Sequence, residues 1–257
     1  MKNYKAYLLD LDGTIYRGDE VIPNAAETIA ELRGRGAIIR FLTNNSSRTQ
    51  PYYAEKLRRM GIQCEPNEII SSATGTASYL KEVGAKEAFV VGMPGLIETL
   101  ETAVRVLNKD ERGAAKPNSP QADTVVVGIC LTFTYELLRS AMQQIHKGAA
   151  FIATNPDTTF PLEGDVLSPG AGSLVAAVAA CSGVQPYVVG KPNPWLVTEA
   201  LKELGLDPAD VLVVGDRMDT DIECGLRAGC STNLVLTGVE KEAPEGQSFT
   251  ADLQGIL

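Results

Sequence analysis

The stretch "YLLDLDGTIY", residues 7–16, runs an apolar segment into two aspartates one residue apart, Asp10 and Asp12, and then into Gly13 and Thr14. Asp-Gly between apolar flanks is a strong hairpin signal, so a turn is the simplest account of it. A calcium loop also opens Asp-x-Asp, but it needs Gly at its sixth position and Glu at its twelfth. This chain has Ile15 and Val21 there, and calcium is set aside. A turn alone leaves unexplained why both carboxylates point the same way, as residues two apart on an extended strand do.

On either side of that stretch, short runs rich in Val, Ile and Leu alternate with helical patterns. "YKAYLLD" is followed by "NAAETIAELRGRG", "AIIRFLTN", "QPYYAEKLRRMG" and "EIISS". The rhythm resumes late with "PYVVG", "PWLVTEALKELG", "ADVLVVGD", "TDIECGLRAG" and "TNLVLTG". Alternation of this kind predicts βαβ units and a parallel sheet, and the unbroken apolar strands suit burial on both faces. Between these parts lie "EAFVVG", "TVVVGI" and "AAFIATN" with two helical patterns and a polar loop, Asn108–Ala122. The fold expected is α/β, a doubly wound parallel-sheet core of residues 1–83 and 172–257 with a smaller α/β domain inserted at 84–171. The polar loop is long for a compact domain and reads as mobile surface.

Composition narrows the chemistry. The 257 residues are 44% apolar, enough to fill such cores, and the net charge of -9 without a basic cluster argues against a nucleic-acid surface. No apolar run approaches the roughly 18 residues of a membrane span, and the N-terminus does not read as a signal peptide, so a cytoplasmic protein is expected. The five cysteines show no C-x-x-C pairing and read as small core residues. A single histidine, His146, excludes triads and multi-histidine metal sites built around other histidines, and its place near a helix end suits capping or solvation. Carboxylates, lysine, hydroxyls and hard metals remain.

In an open parallel sheet ligands bind beyond the carboxyl ends of the strands, so the residue after each apolar run is the one to inspect. After "YLL" stand Asp10 and Asp12; after "IIRFL", Thr43, Asn44, Asn45 and Ser46; after "PYVV", Gly190 and Lys191; after "VLVV", Gly215 and Asp216, with Asp219 and Asp221 close behind. A hairpin at Asp12-Gly13 does not account for the other three strand ends. Carboxylates crowded at low dielectric raise one another's pKa unless a cation joins them, and an all-oxygen donor set suits Mg²⁺. Lys191 adds a second positive charge, and Thr43 with nearby backbone amides adds donors, which describes a pocket for a phosphoryl group. With other histidines absent, a carboxylate is the nucleophile to expect. Of Asp10 and Asp12, one can attack phosphorus while the other handles the leaving group's proton.

These motifs resemble those of the haloacid dehalogenase superfamily of phosphohydrolases. "DLDGT" looks like its first motif, "FLTNNS" its second, "VGKPNP" its third and "VVGDRMDTDI" its fourth. "DGTIYRGDEVIPNA", "FIATNPD", "PGAGSLVAA" and "LVLTGV" bring the chain closer to the NagD and 4-nitrophenylphosphatase-like branch, with an α/β cap between the second and third motifs. The resemblance implies Asp10 as nucleophile and Asp12 as general acid and then base, with Thr43 and Lys191 on the phosphoryl oxygens and Asn44 helping to seat the phosphate. It implies Mg²⁺ held by Asp10, Asp216 and the backbone carbonyl of Asp12, with Asp221 in the outer shell. One departure is Cys130 in "VVVGICLTFTY", where relatives often carry an acid; cap residues of this branch shape the leaving-group pocket.

Other signals read more plainly. "GKPN" is not a Walker loop and "GAGSLV" lacks the third Gly of a dinucleotide fingerprint. Asp219 suits a helix cap, Asn155 and Asp157 a turn, and Trp195, Tyr79 and Tyr135 packing. The function expected is a Mg²⁺-dependent phosphomonoesterase, monomeric or homodimeric, acting on small metabolites such as sugar phosphates or nucleoside monophosphates, and on 4-nitrophenyl phosphate in vitro. A phosphotransferase or mutase using the same phospho-Asp is one alternative. A receiver-like binding module is the other.

Overall fold

The computed structural model describes residues 3–161 and 167–257; residues 1–2 and 162–166, within the expected first core segment and insertion, lie outside the described residues. The chain divides into two compact units. One comprises Met1–Thr43, Gln50–Ile70 and Lys191–Leu257, the other Asn44–Thr49 and Ser71–Gly190.

The first unit is built on a sheet whose spatial order is Phe249–Thr250, Ser231–Val235, Val211–Gly215, Ala6–Asp10, Ile38–Thr43 and Ile69–Ser71, its last strand crossing the unit boundary. The first five strands pair in parallel. Ala6–Asp10 and Val211–Gly215 are buried at every residue, which explains why neither alternates polar with apolar. Tyr7, Leu9, Leu212 and Val214 face one apolar layer with Ile29, Leu32 and Leu57. The helix Ala25–Gly34 meets that layer because Ala25, Thr28, Ile29 and Leu32 recur at helical spacing on one stripe.

The second unit has a parallel sheet of its own, ordered Tyr187–Val188, Ala150–Ala153, Thr124–Val127, Glu87–Val91 and Arg105–Val106. Phe89, Val125 and Val127 pack with Leu137 and Ala141 of the helix Tyr135–His146 and with Val175 and Val178 of the helix Ala171–Ser182. This unit is wider than the insertion expected at 84–171. Tyr187–Val188, read as a core strand, pairs instead with Ile152 and Ala153, and the helix Ser72–Glu82 packs on Pro94–Leu100. A two-residue apolar strand carries no mark of the sheet it joins; tertiary pairing decides.

The polar loop also departs from expectation. Asn108 is fully buried, accepts the Val90 amide at 2.7 Å and donates to the Val90 and Lys116 carbonyls at 2.8 and 3.0 Å. Asp110 accepts the amides of Arg112 and Ala114, so the first half of the loop is stitched to a strand. Four cysteines are buried as expected, and Cys181 is exposed. Tyr135, expected to pack, is 67% exposed beside Arg139. No helix among the described residues is long and apolar enough to cross a membrane.

Candidate active site

Three strands of the first unit end on one rim. Asp10 closes Ala6–Asp10 opposite Leu42, so Thr43 stands one residue further along the neighbouring strand, buried. On the other side Leu9 faces Val214, which sets Gly215 level with Asp10 and Asp216 just past it. Asp221 arrives on a single π-helical turn, Met218–Ile222, an irregularity frequent at functional sites. Asp10, Asp216 and Asp221 are all buried and offer carboxylate oxygens within 4.8 Å of one another.

Lys191, 3% exposed, donates from Nζ to Asp10 Oδ1 at 2.6 Å and also to Asp221 Oδ1. The sequence suggested that a fourth core strand delivers it. Instead Lys191 is the first residue to rejoin this unit after the chain leaves the second sheet. Burial opposes its charge, but Asp10 and Asp221 outweigh that and hold the ammonium above its ordinary range. Asp221, expected to support the metal's water shell, has Oδ1 on Lys191, and its Oδ2 also accepts the Arg217 amide at 3.1 Å.

One ammonium among three carboxylates leaves excess negative charge in a buried place. Burial drives Asp10 well above the carboxylate range, Lys191 opposes this, and Asp221 and Asp216 add to it. Asp216 is pushed up to about 7 by burial and by Asp221, against the Val239 amide that favours its ionised form. These oxygens therefore fit a hard divalent cation, which would offset that charge. The raised Asp216 value also fixes a sign. Its stabilisation is complete below the ordinary 3.8 and gone once pH passes about 7. Metal-stripped protein should therefore lose thermal stability as pH rises from 5 to 8, by roughly 2–4 °C per kcal/mol for a chain of this size. Unfolding midpoints in chelator that stay level or climb across that range would contradict it.

Asp12 lies past the strand end on a bend where Gly13 takes φ 88°. Asp12 is exposed, yet desolvation by the surrounding protein raises its pKa while Lys56, Lys191 and a hydrogen bond from the Tyr16 phenol pull it down. Tyr16 is buried, and Lys56 Nζ sits 3.9 Å from its ring centre. The Thr14 hydroxyl on this bend is buried and has no hydrogen-bond partner among the described residues.

Asn44 is the first residue of the second unit. There it donates from Nδ2 to Asp157 Oδ2 at 3.0 Å, and its carbonyl accepts Ser72 Oγ and Asn155 Nδ2. Asn155 and Asp157 form the turn expected, closed by the Asp157 amide on Asn155 Oδ1 at 3.1 Å. Asp219, expected at a helix cap, lies inside the turn Met218–Ile222 and pairs with Arg217 at the surface, which lowers its pKa. Cys130 is buried, its Sγ 3.7 Å from Thr132 Oγ1. Tyr16 and Thr237-Gly238 lie within "DGTIYRGDEVIPNA" and "LVLTGV" with no role assigned to them by the sequence; the second pair follows the strand Ser231–Val235, where a strand end is the place to inspect.

Two family models match the chain, a haloacid dehalogenase-like hydrolase over residues 7–103 and a HAD-hydrolase-like model over 188–253. The acid sugar phosphatase of Staphylococcus aureus strain USA300 is 41% identical over 257 residues, 97% of this chain and 95% of that protein. The p-nitrophenyl phosphatase from Archaeoglobus fulgidus superposes with a TM-score of 0.88 at 33% identity, covering 99% of this chain and 98% of its own. NagD from E. coli K-12 does so with a TM-score of 0.84 at 30% identity over 98% of each chain. With the acid cluster on its strand ends and relatives this alike along nearly its whole length, the chain belongs to the haloacid dehalogenase-like hydrolases, as a phosphatase of the NagD-like branch.

Proposed function

We propose that the protein is a Mg²⁺-dependent phosphomonoesterase that hydrolyses small phosphorylated metabolites through a phosphorylated Asp10. The observation that carries this reading is the buried cluster of Asp10, Asp216 and Asp221, two of which, Asp10 and Asp221, pair with the buried Lys191. Asp10, Asp216 and the Asp12 carbonyl are the groups that would hold the metal, with Asp221 supporting its water shell. When bound, Mg²⁺ offsets carboxylate charge and stabilises negative charge on the transferring phosphoryl oxygens.

Asp10 attacks phosphorus as the bond to the leaving oxygen breaks, and Asp12 gives that oxygen its proton. Asp12, now ionised, takes a proton from water as the water oxygen bonds to phosphorus. The acyl phosphate bond then breaks, returning Asp10 as a carboxylate and releasing orthophosphate. The Tyr16 phenol and Lys56 favour the ionised Asp12, while its desolvation favours the protonated form, which suits a group that must serve as both acid and base. Lys191 and the Thr43 hydroxyl bind phosphoryl oxygens, together with Asn44, which follows Thr43 in the chain.

The names of the relatives support small substrates, sugar phosphates first, with 4-nitrophenyl phosphate as a reporter; nucleoside monophosphates are the second class proposed. The test is phosphate release from a panel of these compounds by metal-stripped protein, with and without Mg²⁺. Turnover restored by Mg²⁺ by at least about 10²-fold is expected. Full turnover in excess chelator would remove the metal from the reading.

A further inference from the structure

Asp216 is held from a direction that none of the strand-end motifs supplies. A Cβ on Gly238 would lie 1.9 Å from Asp216 Oδ2, and one on Gly13 would lie 2.5 Å from the same atom. The carboxylate therefore sits in a slot whose two walls are glycines, one on the bend after Asp12 and one past the strand Ser231–Val235. The slot has a donor at Val239, whose amide reaches Oδ2 at 2.6 Å, while the Glu240 amide reaches the Asp216 carbonyl at 3.1 Å. The two walls are also tied to each other. Thr237 donates from Oγ1 to the Gly13 carbonyl at 2.7 Å, and the Arg17 guanidinium donates to the Thr237 carbonyl.

From this geometry we infer that Thr237 and Gly238 are positioning residues for the metal site: they fix the width of the slot that aims Asp216. The inference rests on the reading that Asp216 is a metal ligand. Its physical basis is that a carboxylate crowded by other acids turns away unless its surroundings leave it one orientation, and partners outside the ligand set commonly govern metal affinity. Gly238 removes the steric bar to the inward orientation, Val239 holds the ionised oxygen, and Thr237 keeps the Gly13 wall from moving off. Arg17 adjoins Tyr16 in the chain, so neighbouring hairpin residues address Asp12 and this slot.

The test is calorimetric titration of the metal-stripped full chain with Mg²⁺, alongside the metal-free unfolding midpoint. Thr237→Val keeps the shape and loses the hydroxyl; it should weaken Mg²⁺ binding about 10-fold, and Thr237→Ser should restore it. Gly238→Ala should weaken binding by at least about 100-fold. Should Gly238→Ala fail to fold, the valine and serine pair still decides. Asp216→Asn is the control for the underlying reading. If it abolishes binding while folded Thr237→Val and Gly238→Ala titrate within about twofold of the parent, the slot inference is overturned and the metal site stands. If Asp216→Asn binds as the parent does, both fall.

Discussion

Asp10→Asn is expected to lower kcat by at least about 10⁴-fold, the scale seen when a covalent nucleophile is removed, while the fold survives. The carboxamide has nearly the shape of the carboxylate but cannot form the acyl phosphate. Its effect on stability should run the other way. Burial and two neighbouring acids already push Asp10 toward its neutral form, and Asn supplies a neutral group in the same place. The metal-stripped variant at pH 8 should therefore unfold no earlier than the parent. Steady-state rates on 4-nitrophenyl phosphate, measured with thermal unfolding on the same preparation, check both halves. Parental turnover in a folded Asp10→Asn protein would remove Asp10 as nucleophile.

Lys191→Met should cost both activity and stability. The lysine is the cation that the structure places between Asp10 and Asp221, and all three groups are buried. Removing one partner of a buried ion pair typically costs about 3–5 kcal/mol, or a midpoint fall of roughly 6–20 °C for a chain of this size. The acids can escape part of this by taking up protons, so the deficit should shrink between pH 8 and pH 5. Lost stabilisation of phosphoryl charge should lower kcat by about 10²–10³-fold. An unchanged midpoint at pH 8 would contradict the electrostatic account of the cluster.

Most of the site could be read from the sequence because a parallel sheet delivers function at its strand ends. Asp10, Thr43 and Asp216 each stand at or just past an unbroken apolar run, and the structure places all three on one rim. Lys191 followed the same rule for a reason that does not hold, since the strand before it belongs to the other sheet. Which sheet a two-residue strand or a following helix joins depends on partners far away in sequence, and so the second unit reaches beyond residues 84–171. Asn44 shows a related limit: nothing near it in the sequence tells that its amide donates to Asp157, 113 residues further on. The Gly13 and Gly238 walls depend on backbone approaching a carboxylate from elements some 220 residues apart, with Thr237 bonded across a separation of 224. No local pattern encodes such an approach.

The central claim is a covalent bond between Asp10 and phosphorus during turnover. Its most direct test is to mix the Mg²⁺-loaded protein with substrate, quench in acid within a single turnover, and map peptides by mass spectrometry. The account predicts that the peptide carrying Asp10 gains the mass of one phosphoryl group on that residue, and that Asp10→Asn shows no such gain. Phosphate released in a single turnover with no phosphorylated peptide at any quench time, or with the phosphoryl group on another residue, would contradict it.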